Sequence, residues 1–63
     1  MKVKCVYIKE SNDKDGNFFT LGKIYECSKG VNEKRVNVYD NKGFYWDNKR
    51  LDGKIYKFEI VEE

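Results

Sequence analysis

The stretch SNDKDGNFFTLGKIYEC, residues 11–27, holds the side chains best spaced for chemistry. Asp13, Asp15 and Gly16 stand as in the middle of a calcium loop, with carboxylates at positions 3 and 5 and glycine at position 6. That frame puts Ser11 at position 1 and Gly22 at position 12, where carboxylates should anchor the ion. No flanking helix is predicted, so a polar turn is the better reading. Asp, Asn and Gly favour bends for reasons of their own. A phosphate loop fails too. Five residues separate Gly16 from Gly22 where four are required, and Ile24 stands where Ser or Thr should meet magnesium. The stretch reads as a long loop closing onto a strand, with Gly22 at a tight backbone position. No metal and no cofactor are expected.

Elsewhere the routes to catalysis are few. The chain has no histidine, which removes the commonest general base and the Ser-His and Cys-His pairings. Cys5 and Cys27 are too far apart in sequence for a metal knuckle and read as small apolar fillers on neighbouring strands. The carboxylates are scattered. The chain is expected not to be an enzyme, and its activity is expected to lie in a surface. Tyr39 and Tyr45 form one candidate, either as cross-strand stabilisation or as a binding platform. Lys49 and Arg50 beside Trp46 form another: they suit a phosphate or an acidic partner, or a solvated connector. Phe18 and Phe19 close the long loop, and the expectation is one barrel plug and one contact residue, in unknown order.

Length and composition set the bounds. With 63 residues, the chain forms one domain, 1–63, with one small core. Lys and Arg number 13 against 11 Asp and Glu, a net +2 that is too small to argue for nucleic acid. Charged residues make up 38%, but an aromatic share of 16% keeps the chain out of the disordered class. No apolar run approaches the ~18 residues of a membrane span, and no signal peptide is read ahead of the first strand, so a cytoplasmic location is the default expectation. Ala, Pro, His and Gln are absent, and Lys, Asn, Ile, Tyr and Phe supply 30 of the 63 residues. Those five are encoded by AT-rich codons, which points to a low-GC bacterium or one of its mobile elements.

These side chains must be positioned by strands. No helical period is sustained, and β-branched and aromatic residues come in short runs between turn residues. Five strands are predicted: 3–9, 23–28, 34–40, 44–48 and 55–61. A turn spans 29–33, and a connector at 49–53 has room for one 3₁₀ turn. In RVNVYDNKGFYWDN, the turn Asp40-Asn41-Lys42-Gly43 suits a type I turn with glycine in a G1 bulge. That turn pairs Asp40 with Phe44, Tyr39 with Tyr45, Val38 with Trp46 and Asn37 with Asp47. Val36, Val38, Phe44 and Trp46 then share the core face, and a one-residue slip would mix Asn37 with Trp46. Tyr56, Phe58 and Ile60 point inward from the last strand, as do Tyr25 and Cys27 from the second. The first strand is ambiguous, and a bulge or burial on both faces would resolve it. Long loop, short turn, tight hairpin and short connector suit an all-β, five-stranded SH3-like barrel, whose closure removes exposed edges.

Three segments carry a family likeness: MKVKC at the start, FTLGKIYEC and VNVYDNKGFYWD. They resemble small SH3-like barrel proteins of phages and prophages of low-GC bacteria. Such proteins open on a basic-hydrophobic strand. They carry a Thr-x-Gly-Lys-x-Tyr segment, here Thr20, Gly22, Lys23 and Tyr25, then an acidic hairpin turn with glycine, here Asp40 and Gly43. The likeness covers most of residues 1–48, whereas KRLDGKIYKFEIVEE is longer than the ending the family leads one to expect. It implies the barrel fold and a phage-like setting, with no assigned activity.

Together these readings favour a non-enzymatic binding module that captures a macromolecule, foremost a host protein, and so modulates a host system such as defence. Single-stranded nucleic-acid binding is the rival, disfavoured by the near-neutral charge. A structural or oligomer-forming virion component is the third reading, and self-association stays open.

Overall fold

The computed structural model describes residues 1–9 and 18–63. The calcium-like positions Ser11, Asp13, Asp15 and Gly16 lie outside the described residues. The fold is all-β, as predicted. The strands are β1 (Lys2–Ile8), β2 (Ile24–Lys29), β3 (Arg35–Tyr39), β4 (Tyr45–Arg50) and β5 (Tyr56–Glu62). All pairings are antiparallel, in the order β4-β3-β2-β1-β5. No helix among the described residues is long and apolar enough to cross a membrane.

β2 is the hinge of the sheet. Its first half, Ile24 to Glu26, pairs with β1, and its second half, Cys27 to Lys29, pairs with β3. One strand thus serves two ladders, and the sheet can wrap around a core. The two ends of the sheet come together where the Phe58 N–H donates to the Leu51 carbonyl at 2.8 Å. An isolated bridge joins Asp52 to Lys57 beside it, reinforced by the Lys57 ammonium on Asp52 Oδ1 at 2.6 Å.

The core collects one face of β1, β2, β3 and β5, namely Val3 and Cys5, Tyr25, Val36 and Val38, Tyr56 and Phe58, with the half-buried Trp46 of β4 packed against it. Phe19 is fully buried at its centre. Its ring meets Tyr25, Trp46, Tyr56 and Phe58 at centroid distances of 5.2, 5.6, 5.0 and 4.9 Å, mostly edge to face. Such contacts add about 0.5–1.5 kcal/mol each beyond area burial. The ambiguity of β1 is settled by a bulge: its register against β5 shifts between Cys5 and Tyr7. Val3 and Cys5 therefore point inward, while Val6 and Tyr7 are exposed.

The β3–β4 hairpin follows the predicted register at its tip. Gly43 has φ 83°, the left-handed conformation a G1 bulge needs, and its N–H donates to the Asp40 carbonyl at 3.1 Å. Tyr39 faces Tyr45 and Val38 faces Trp46. Two expectations fail beyond this. The pairing of Asn37 with Asp47 gives way to a second bulge, and the ladder resumes with Val36 opposite Lys49 and Arg35 opposite Arg50. Asn48 adopts φ 53° there, and its N–H is satisfied by Asn37 Oδ1 at 2.8 Å instead of by a backbone carbonyl. Lys49 and Arg50 are consequently the end of β4 and not part of a connector, and no 3₁₀ turn follows. Phe44 is the second correction. It is 61% exposed, because the Asp40 carboxylate occupies the inner side of the turn and takes the Phe44 N–H at 2.9 Å.

Candidate functional site

Two surfaces arise from this hairpin, on its opposite faces. On the outer face, Tyr39 and Tyr45 stand directly across from one another with ring centroids 5.2 Å apart and planes tilted by 51°. They remain 60% and 54% exposed, with Phe44 next in the chain. The exposed Glu26 precedes Cys27, whose partner Val38 precedes Tyr39. Glu26 shares Lys2 with Glu62, at 3.6 and 3.7 Å, across the sheet. The outer face is thus aromatic at the hairpin and mixed in charge beside it.

The hairpin is braced from beneath. Asp40 is only 6% exposed. Its Oδ2 accepts the Trp46 indole N–H at 2.8 Å, and its Oδ1 accepts the backbone N–H groups of Lys42 and Phe44 at 2.8 and 2.9 Å. Burial alone would push this carboxyl up. The three donors, with Lys42 nearby, outweigh it and hold Asp40 below the usual aspartate range. Asn41 ties the tip to the rest of the molecule. Its Oδ1 accepts from the Tyr25 hydroxyl at 2.8 Å and the Lys23 ammonium at 3.0 Å, and its Nδ2 donates to Thr20 Oγ1 at 2.9 Å. Its backbone N–H donates to the Phe18 carbonyl at 2.8 Å. Gly22, at φ 85°, makes the turn that brings this segment onto β2, and its N–H reaches the Cys5 carbonyl at 2.7 Å.

These ties set Phe18 against the inner, half-buried face of β4. Phe18 meets Trp46 edge-on at 5.7 Å. The Lys42 ammonium lies 4.7 Å from the Phe18 centroid. The second bulge turns Lys49 onto the same side, 4.9 Å from the Trp46 ring and 5.3 Å from Tyr56. Lys23 caps Tyr25 at 5.3 Å. An open groove continues from Trp46 past Lys49, Arg50 and Lys54 to Ile55. Burial draws the Lys49 ammonium below the ordinary lysine pKa, opposed by the nearby Cys5 sulfur.

No family model, curated protein or solved structure matches this chain. The site residues therefore rest on geometry alone. Tyr39 and Tyr45 are exposed and paired, as the turn chemistry implied. Lys49 and Arg50 do lie beside Trp46 along the groove. Of the two phenylalanines, Phe19 is the plug and cannot be a contact residue, since none of its surface is accessible. Phe18 is the half-buried one. Cys5 and Cys27 lie on neighbouring strands, Cys5 buried and Cys27 packed against the core. Burial, first of all, raises the Cys27 thiol above the ordinary range, the direction expected of a filler rather than a nucleophile. Sequence reasoning missed Asp40, Asn41 and Lys42 as the positioning set. The signal available was the turn itself, whose Asp and Asn carry side chains able to bond backbone and neighbours.

Proposed function

We propose that the chain is a non-catalytic binding module that captures a protein partner through the outer face of the β3–β4 hairpin. The observation that carries this reading is the exposed Tyr39–Tyr45 pair, extended by Phe44 and held on a braced turn. Tyrosine offers large, stiff, amphipathic contact area at low entropy cost, and hot spots are enriched in it. Asp40 and Asn41 fix the turn before any partner arrives, which lowers the ordering cost of association. The resemblance of the MKVKC, FTLGKIYEC and VNVYDNKGFYWD segments to phage and prophage barrels supplies the setting. In that setting the partner is a host protein in the cytoplasm of a low-GC bacterium, and capture modulates a host system, defence being one. The test is affinity capture from nuclease-treated host lysate, with Tyr39→Ala/Tyr45→Ala as comparison. A partner retained by the native chain and lost by the folded double variant supports the reading. Equal recovery by both overturns the hairpin as its site.

A further inference from the structure

The inner face of β4 carries a second surface that protein capture does not use. Two adjoining rings, Phe18 and Trp46, are flanked by Lys42 and Lys49, and Arg50 and Lys54 follow along the groove. Net charge is blind to this placement: among the described residues, Glu26, Glu59 and Glu62 lie on the outer face of β1, β2 and β5 with Lys2 and Lys4. Two carboxylates do line the groove, Asp47 and Asp52, and Asp52 is engaged by Lys57. Asp40, beneath Trp46, is committed to three N–H donors. Lys49 is half-buried over two rings and makes no ion pair among the described residues. A cation in that position costs stability unless something anionic joins it. Yet only the second bulge, with Asn48 in a left-handed conformation, turns it there.

We propose that this strip binds single-stranded nucleic acid, with bases against Phe18 and Trp46 and phosphates on Lys42 and Lys49. Charge complementarity and flat rings together select the ligand. A peptide of acidic side chains alone would meet the lysines but bring no ring to stack on Phe18 and Trp46. A duplex would present phosphates but keep its base faces stacked away. Stacking on an aromatic side chain adds affinity base by base and tolerates any base, because every base has a flat face. The lysine stems are flexible, so each ammonium can leave its ring for a phosphate as a base takes its place. This site is separate from the tyrosine face, since Trp46 and Tyr45 point to opposite sides of β4.

Trp46 is the only tryptophan, so its emission reads the site directly. The full chain is titrated with oligothymidylate, oligouridylate, inorganic phosphate and polyglutamate. Either oligonucleotide should quench Trp46 saturably, and phosphate or polyglutamate should not. Lys42→Met/Lys49→Met, which keeps the apolar stems, should weaken binding about tenfold or more, ~1.4 kcal/mol. The slope of log K against log salt should fall by about 0.7 for each lysine–phosphate pair removed. Lys42→Met alone, at an exposed residue, carries the same test if the double variant fails to fold. Tyr39→Ala/Tyr45→Ala should leave quenching unchanged, so failure of protein capture and failure of this site read separately. Absent quenching, equal quenching by phosphate or polyglutamate, or an unchanged salt slope in the lysine variants overturns the proposal.

Discussion

Asp40 shows how one side chain can organise a site without entering it. Its carboxylate replaces three separate partners for the Trp46 indole and two turn N–H groups. Bonds to a charged group contribute about 1.5–3 kcal/mol, and a donor left without one costs about 1–3. Asp40→Asn keeps the shape but loses charge and acceptor capacity, and should destabilise the fold by roughly 1.5–3 kcal/mol in urea unfolding at neutral pH. The pH dependence has a fixed sign. The folded pKa of Asp40 lies below its unfolded value. Its contribution is therefore complete above about pH 4, the unfolded aspartate range, and is lost as pH falls through the folded value. Unfolding free energy measured at pH 7 and pH 3 should drop more in the native chain than in Asp40→Asn. Phe19 is the opposite kind of residue, all packing and no polarity. Phe19→Ala should cost about 3–5 kcal/mol. A chain of 63 residues has only some ~3–9 kcal/mol in total, at roughly 0.05–0.15 kcal/mol per residue. Circular dichroism of that variant should show loss of cooperative melting. The order of the adjacent Phe18 and Phe19 was not legible in the sequence, because alternation near a loop end has no fixed phase until the cavity that takes one ring exists.

At the scale of the element, the hairpin divides into a part set by local chemistry and a part set by distant partners. The tip was legible: Asp40 to Gly43 names a turn, the turn names a register, and the register puts Tyr45 outside and Trp46 inside. Trp46→Ala should therefore cost about 3 kcal/mol, the low end of the buried-aromatic range because the ring is half-exposed. Tyr45→Ala should cost under about 1 kcal/mol, the scale of a single cross-strand pair. Equal losses of melting temperature would show that the faces are misassigned. The second bulge was not legible. Asn48 holds φ 53° because its Oδ1 takes the Val31 N–H at 2.7 Å and its N–H finds Asn37. Those partners come from the β2–β3 turn and from β3, and no window around Asn48 contains them all. Left-handed backbone costs an ordinary residue about 1–2 kcal/mol, and asparagine and glycine far less. Asn48→Gly should thus destabilise no more than Asn48→Ala, although glycine within a strand is usually worse than alanine by about 0.5–1 kcal/mol. Urea melts of the two variants check this, and a clearly less stable glycine variant would contradict it. The same bulge explains why Lys49 left its expected place, as the Asp40 carboxylate explains Phe44: the pattern of alternation holds only between such irregularities.

Across the whole molecule, the sequence sufficed for five strands, most of their faces and the all-β class, since period-two alternation and turn residues are local signals. It did not reveal where charges sit, because +2 is a sum; among the described residues Glu26, Glu59 and Glu62 lie on the outer face, whereas Lys42 and Lys49 flank the rings on the inner side of β4. Those two sides give the chain two surfaces with different chemistry: rigid tyrosines outside β3 and β4, and lysine-flanked rings on the inner side of β4. Activity in a surface also predicts a simple mutational signature. Changes on the outer hairpin should alter recognition and leave melting nearly unchanged, whereas changes at Phe19 or Asp40 should alter both. Quantitative recovery from nuclease-treated host lysate decides whether the tyrosine face captures a protein. A partner should be held by the native chain and recovered about tenfold less, ~1.4 kcal/mol, by Tyr39→Ala/Tyr45→Ala with an unchanged β-sheet circular dichroism spectrum. Undiminished recovery of that partner by the folded double variant would contradict it.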